Sequence, residues 1–158
     1  MWMVNKIVEK SNQYIYNTAK SIITHLYGDE AEFREGQYEA IEATMLNKRT
    51  LVVQKTGWGK SLVYFICTKL FRNDGKGVTV IVSPLLVLME NQLEAATKLG
   101  LKCDVLNSTT KERWDSIIYE LTENLLDLVL ITPETLLNNV FQSVINIRIN
   151  CTLYIIGV

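Results

Sequence analysis

The sequence predicts an α/β protein built on a parallel β-sheet with helices flanking its faces. Three observations carry this. Short apolar, β-branched runs alternate with helical patterns along the chain, the order that a parallel sheet with crossover helices requires. The only two prolines share one context: Val78–Val82 leads through Ser83 to Pro84, and Asp127–Ile131 leads through Thr132 to Pro133. Ser and Thr suit a helix N-cap and Pro suits the first helical position, so each reads as strand, tight turn, helix. Finally, a glycine-containing loop at residues 54–61 sits between an apolar run and an amphipathic stretch.

The elements follow in order. Residues 4–27 read as a helix, with apolar positions at Val4, Ile7, Ile15, Ile22, Ile23 and Leu26. A second helix covers 36–47, Leu51-Val52-Val53 reads as a short buried strand, and 60–71 as a helix. Gly75 and Gly77 interrupt the chain before the strand that ends at Val82. A helix over 85–99 is closed by Gly100, and Cys103–Leu106 is a weaker strand. Residues 111–123 form a helix with Trp114, Ile117, Ile118 and Leu121 at helical spacing. A strand ending at Ile131, a helix over 134–141 and a last strand over Leu153–Ile156 complete the pattern. The division expected is an N-terminal helical segment, 1–30, followed by a sheet-forming domain, 31–158.

Composition narrows the functional classes. The 158 residues are 48% hydrophobic and 21% charged, which is globular rather than disordered. Lys and Arg number 16 against 17 Asp and Glu, so a strongly basic coat or polybasic membrane patch is excluded, although a local phosphate site is not. Three separated cysteines, Cys67, Cys103 and Cys151, and one histidine make a zinc site unexpected. Reduced thiols, no leader and no apolar span lead to the expectation of a cytoplasmic protein with no membrane partner.

Ligands of parallel sheets bind outside the carboxyl ends of strands. Three loops are expected there: 54–61, 83–84 and 132–134. The first, Gln54-Lys55-Thr56-Gly57-Trp58-Gly59-Lys60-Ser61, is a phosphate-loop pattern in which Gln54 replaces the usual first glycine. Its glycines let successive N–H groups point inward, making a nest for anionic oxygens at a helix N-terminus. Lys60 can reach β- and γ-phosphates and the Ser61 hydroxyl can ligate Mg²⁺. Trp58 contributes its backbone N–H, leaving its side chain to pack on a neighbouring helix or to be partly exposed. A P-loop NTPase is therefore the expected fold class.

With these residues in hand, the chain resembles the first RecA-like domain of a RecQ-family, superfamily 2 DNA helicase from about Phe33 onward. Phe33-Arg34-Glu35-Gly36-Gln37 resembles the F-R-x-x-Q motif, Thr56–Ser61 motif I, and Ser83–Gln92 motif Ia. Leu106-Asn107-Ser108 and Thr132-Pro133-Glu134 resemble the segments around motif Ib. The resemblance implies ATP and Mg²⁺ as cofactors, with Gln37 reading adenine and Arg34 lying against the base or its neighbours. The aromatic that stacks on adenine in family members is replaced here by Asp29 and Glu30, with Tyr27 upstream. It also implies DNA-backbone contact by Ser83, Pro84, Asn107, Thr132 and Pro133, although the Ser83-Pro84 and Thr132-Pro133-Glu134 turns would cap helices in any case. Asn91 and Gln92 read as solvent-facing.

The family's acidic DEAH motif directly follows a hydrophobic strand, and here the last apolar run ends in Gly157 and Val158. The expectation is an N-terminal part of a helicase that alone neither hydrolyses ATP appreciably nor unwinds DNA, with Lys60 its one catalytic group. A nucleotide-binding module completed by the rest of the helicase as a partner chain is the alternative. A small-molecule P-loop kinase is less favoured, because its phosphate loop usually lies near the chain start.

Overall fold

Four short strands form one parallel sheet, and its two fully described inner strands are buried on both faces. A computed structural model describes the backbone of residues 2–148 and 152–155 and the side chains of residues 12–144. Val4, Ile7, Cys151 and the run from Ile156 to Val158 lie outside those described side chains. Strands β1 (Thr79–Val82), β2 (Cys103–Leu106), β3 (Leu128–Ile131) and β4 (Thr152–Ile155) lie in the order β2-β3-β1-β4, with every pairing parallel. Every residue of β1 and β3 is buried, as expected of central strands covered on both sides. The expected α/β class with a parallel sheet and flanking helices is what the chain adopts.

The chain divides into two compact units, Met1–Leu70 and Phe71–Val158. In the first, α1 (Trp2–Tyr27) buries Ile15, Ala19 and Ile23, one stripe at helical spacing. Helix α2 (Gln37–Met45) buries Gln37, Ala40 and Ile41. Aromatic rings join them: Tyr16 meets Tyr38 edge-on at 5.0 Å and Phe33 at 6.3 Å. Lys20 Nζ donates to the Ala31 carbonyl at 2.6 Å and pairs with Glu32. Helix α1 thereby fixes the 31–38 segment that precedes the phosphate loop. Helix α3 (Lys60–Asn73) follows that loop.

In the second unit, Val80, Val82, Val129 and Ile131 alternate onto one sheet face. They pack there with Leu106, with Ile117 and Leu121 of α5 (Trp114–Thr122), and with Phe141 of α7 (Asn139–Arg148). Helix α4 (Leu86–Lys98) ends in a Schellman turn: Gly100, at φ 71°, donates to the Thr97 carbonyl at 2.8 Å, and Leu101 N–H to Ala96 at 3.1 Å. The amino ends of the strands are clamped by a charged pair. Arg72 Nε donates to Asp127 Oδ1 at 2.8 Å, and Asp127 Oδ2 accepts the Lys102 N–H at 2.8 Å. The same guanidinium donates to the Lys76 carbonyl at 3.1 Å and to Asn124 Oδ1 at 2.6 Å. The segments entering β1, β2 and β3 thus meet at one ion pair.

Several expectations need correction. Leu51-Val52-Val53 is not a buried strand: it lies outside the sheet, with Leu51 88% and Val53 81% exposed. A three-residue apolar run between Thr50 and Gln54 cannot satisfy its own backbone; a strand exists only through a partner ladder. The helix expected over 134–141 is two helices, α6 (Pro133–Leu136) and α7, because Asn138 Oδ1 accepts the Val140 N–H at 2.9 Å and caps a new start. Ser83 and Pro84 do not open α4; its N-cap is Leu85 and has no side-chain cap. Gln92 is buried rather than solvent-facing. The first turn of the 111–123 segment is a 3₁₀ turn, Lys111–Arg113, ahead of α5.

The clamp generates a prediction. Asp127→Ala leaves the Arg72 guanidinium unpaired and the Lys102 N–H without its acceptor, and should cost about 2 kcal/mol in urea unfolding. An unchanged midpoint would show that strand register does not need the pair.

Candidate functional site

The F-R-x-x-Q segment and the phosphate loop are joined in the first unit by a buried carboxamide. Gln37 is 4% exposed; its Oε1 accepts the Arg34 N–H at 2.8 Å and its Nε2 donates to the Trp58 carbonyl at 3.0 Å. The Arg34 guanidinium donates to the Gly57 carbonyl. Trp58 Nε1 donates to the Glu35 carbonyl at 3.1 Å, and the indole is buried, in line with the packing role expected for it. Arg34, Gln37, Gly57, Trp58 and Gly59 therefore form one cluster.

Glycine is needed in the loop for two reasons. Gly57 and Gly59 have φ of 80° and 98°, which strain any L side chain. A Cβ on Gly59 would also stand 2.5 Å from Gln37 Nε2. The loop curls directly into α3, whose first residue is Lys60. The Lys60 ammonium now rests on loop carbonyls, donating to Gln54 at 2.6 Å and Lys55 at 3.3 Å. These are contacts that anionic oxygens can replace. Ser61 touches Tyr64, whose phenol is pushed up to about 12 by burial, with the Ser61 hydroxyl opposing that shift. The loop-to-helix half of the expected context is present, whereas the strand half is the exposed 51–53 segment. Thr56 lies at the exposed turn of the loop.

A second site lies in the other unit, where the carboxyl ends of β1, β2 and β3 surround an open cleft of about 480 Å³. Pro84 and Leu86 come from behind β1, Ser108, Lys111 and Trp114 from behind β2, and Thr132, Glu134 and Asn138 from behind β3. Thr132 caps α6 as expected: its Oγ1 accepts the Thr135 N–H at 3.2 Å, and Pro133 follows in the first turn. The Glu134 carboxyl lies below the usual carboxylate range, held first by its own backbone N–H and then by the Thr132 hydroxyl.

Asn107 and Ser83 sit behind this lining. Asn107 Oδ1 accepts from the Thr109 N–H at 2.8 Å, the Thr109 hydroxyl at 2.7 Å and the Thr110 N–H at 3.2 Å, so it builds the turn. Ser83 is fully buried. Sequence reasoning missed Trp114 as a lining residue, reading only its helical spacing. The signal available was its place just after the polar Asn107–Thr110 turn. Among the described residues there is no cluster suited to a metal ion and no helix long and apolar enough to cross a membrane.

A parallel sheet with flanking helices, a glycine-curled loop running into a helix and a cleft at the strand ends fit a partial RecA-like P-loop NTPase fold. Residues 34–156 match the DEAD/DEAH box helicase family, and the chain belongs to that family. It is of the RecQ type. It is 34% identical over 145 residues to the ATP-dependent DNA helicase RecQ of Haemophilus influenzae, covering 91% of this chain and 22% of that protein. Against RecQ of Bacillus subtilis it is 37% identical over 123 residues, 75% of this chain and 20% of the relative. The ATP-dependent helicase SGS1 of Saccharomyces cerevisiae is 36% identical over 103 residues, 65% of this chain and 7% of that protein. The chain thus spans about a fifth of the length of the bacterial relatives.

The latch can be tested directly. Gln37→Ala leaves the Trp58 carbonyl and the Arg34 N–H unpaired, at a cost of about 2–3 kcal/mol, and should shift Trp58 emission to the red. Gly59→Ala should have a similar effect, because its Cβ would displace the Gln37 amide. Wild-type stability and emission in both variants would contradict the latch.

Proposed function

We propose that this chain is the nucleotide-phosphate-binding and strand-contacting part of an ATP-dependent DNA helicase of RecQ type. The observation that carries the reading is the loop 56–61, curled by Gly57 and Gly59 and running straight into α3 with Lys60 at its first position. The N–H groups of such a glycine-curled loop, the positive end of the helix and the Lys60 ammonium would suit the phosphates of ATP, and the Ser61 hydroxyl would suit Mg²⁺. Gln37 retains one N–H and one oxygen lone pair outside the latch. These are the groups a carboxamide uses to pair with adenine N7 and N6. Arg34, at the loop mouth on Gly57, would lie near the base.

The turns at Pro84 and Thr132-Pro133 would follow the DNA backbone, with Ser83 and Asn107 shaping them from behind. Hydrolysis and unwinding by the whole protein would draw on further residues, on the same polypeptide or on a partner chain. Residues 31–158 would then act as the helicase portion, with 1–30 as a helical support.

Binding of a fluorescent ATP analogue tests this. Lys60→Ala should weaken binding at least about tenfold, the scale of losing a charge-assisted phosphate contact. Wild-type affinity should fall when Mg²⁺ is chelated, and Ser61→Ala should blunt that dependence. Retained affinity in Lys60→Ala would show that the loop is not the site.

A further inference from the structure

The cleft at the carboxyl ends of β1, β2 and β3 offers more chemistry than backbone contact would use. Most of its polar groups are already spent. The Thr135 hydroxyl donates to the Leu106 carbonyl at 3.1 Å, the Thr132 oxygen caps α6, and Asn138 Oδ1 caps α7. The single N–H of Trp114 goes to the Asn107 carbonyl at 2.9 Å. Three donors remain without a partner among the described residues: Lys111 Nζ, Ser108 Oγ and Asn138 Nδ2. Beside them stand the Glu134 carboxylate and the carbon surface of Trp114, which packs on the core yet is only partly buried.

The three free donors and the indole face fit one nucleotide of a single strand. An indole whose N–H is occupied offers only a π surface, which stacks on any base. The free donors match phosphate oxygens, and the cleft volume of about 480 Å³ lies within the size range of small-ligand sites. Glu134 repels phosphate from its own corner and suits an exocyclic amino group, which cytosine and adenine carry and thymine lacks. We propose that Trp114 stacks on a base of single-stranded DNA while Lys111 holds the adjoining phosphate, with Glu134 favouring amino-bearing bases. This rests on the reading of the chain as the strand-contacting part of a helicase, and it adds base contact to what the turns alone would provide.

The test is anisotropy of labelled dA, dC and dT oligonucleotides with the intact protein over a salt series. Trp114→Ala should weaken binding of all three about tenfold or more, whereas Trp114→Phe keeps most of the affinity. Lys111 is exposed, so Lys111→Ala should fold normally and make the salt dependence shallower by about one phosphate contact. Glu134→Gln should narrow the gap between dC and dT. Wild-type binding in both Trp114 variants, with an unchanged salt slope in Lys111→Ala, overturns the base site but leaves DNA binding by the chain intact. No binding of any oligonucleotide overturns both.

Discussion

The second unit is organised around the ion pair between Arg72 and Asp127. A parallel sheet has no hairpins to set its register, so its strands must be aligned by contacts far apart in sequence. Here one guanidinium at the end of α3 reaches Asp127 before β3, the Lys76 carbonyl before β1 and Asn124, while Asp127 takes the Lys102 N–H before β2. Fixing the amino ends of the three strands also fixes where their carboxyl ends arrive. The loops behind β1, β2 and β3 therefore converge on one cleft.

The 54–61 loop of the first unit depends on a different device of the same kind. A backbone N–H nest binds phosphate more tightly when the loop holds its curl before the ligand arrives. The Gln37 carboxamide supplies that hold, bridging the Arg34 N–H and the Trp58 carbonyl, while the indole of Trp58 is tied back to Glu35. The segment that does this is itself fixed by α1, through Lys20, Tyr16 and Tyr38. The N-terminal helix α1 thus bears on the 54–61 loop through the segment it anchors.

Much of this was legible in the sequence where local chemistry decides the outcome. The buried runs Thr79–Val82 and Leu128–Ile131 read as strands because they are short, rich in β-branched residues and bounded by turn signals. Gly100 ends α4, and Thr132-Pro133 opens α6, as their conformational preferences require. What was not legible depends on partners. Leu51–Val53 has strand composition but no ladder. Asn138 splits a helix only because its side chain finds the next turn's N–H groups. The double role of Gln37, buried in the latch with part of its amide still unspent, cannot be read from F-R-x-x-Q, nor can the placing of Trp114 in the cleft.

The role proposed for the loop from Thr56 to Ser61 is to hold phosphate at the start of α3. The most direct measurement is amide NMR of the isotopically labelled protein titrated with Mg-ATP. The N–H signals of Gly57, Trp58, Gly59 and Lys60 should shift most, and inorganic triphosphate should move the same set. Unmoved loop signals at saturating nucleotide, or shifts confined to residues elsewhere, would contradict it.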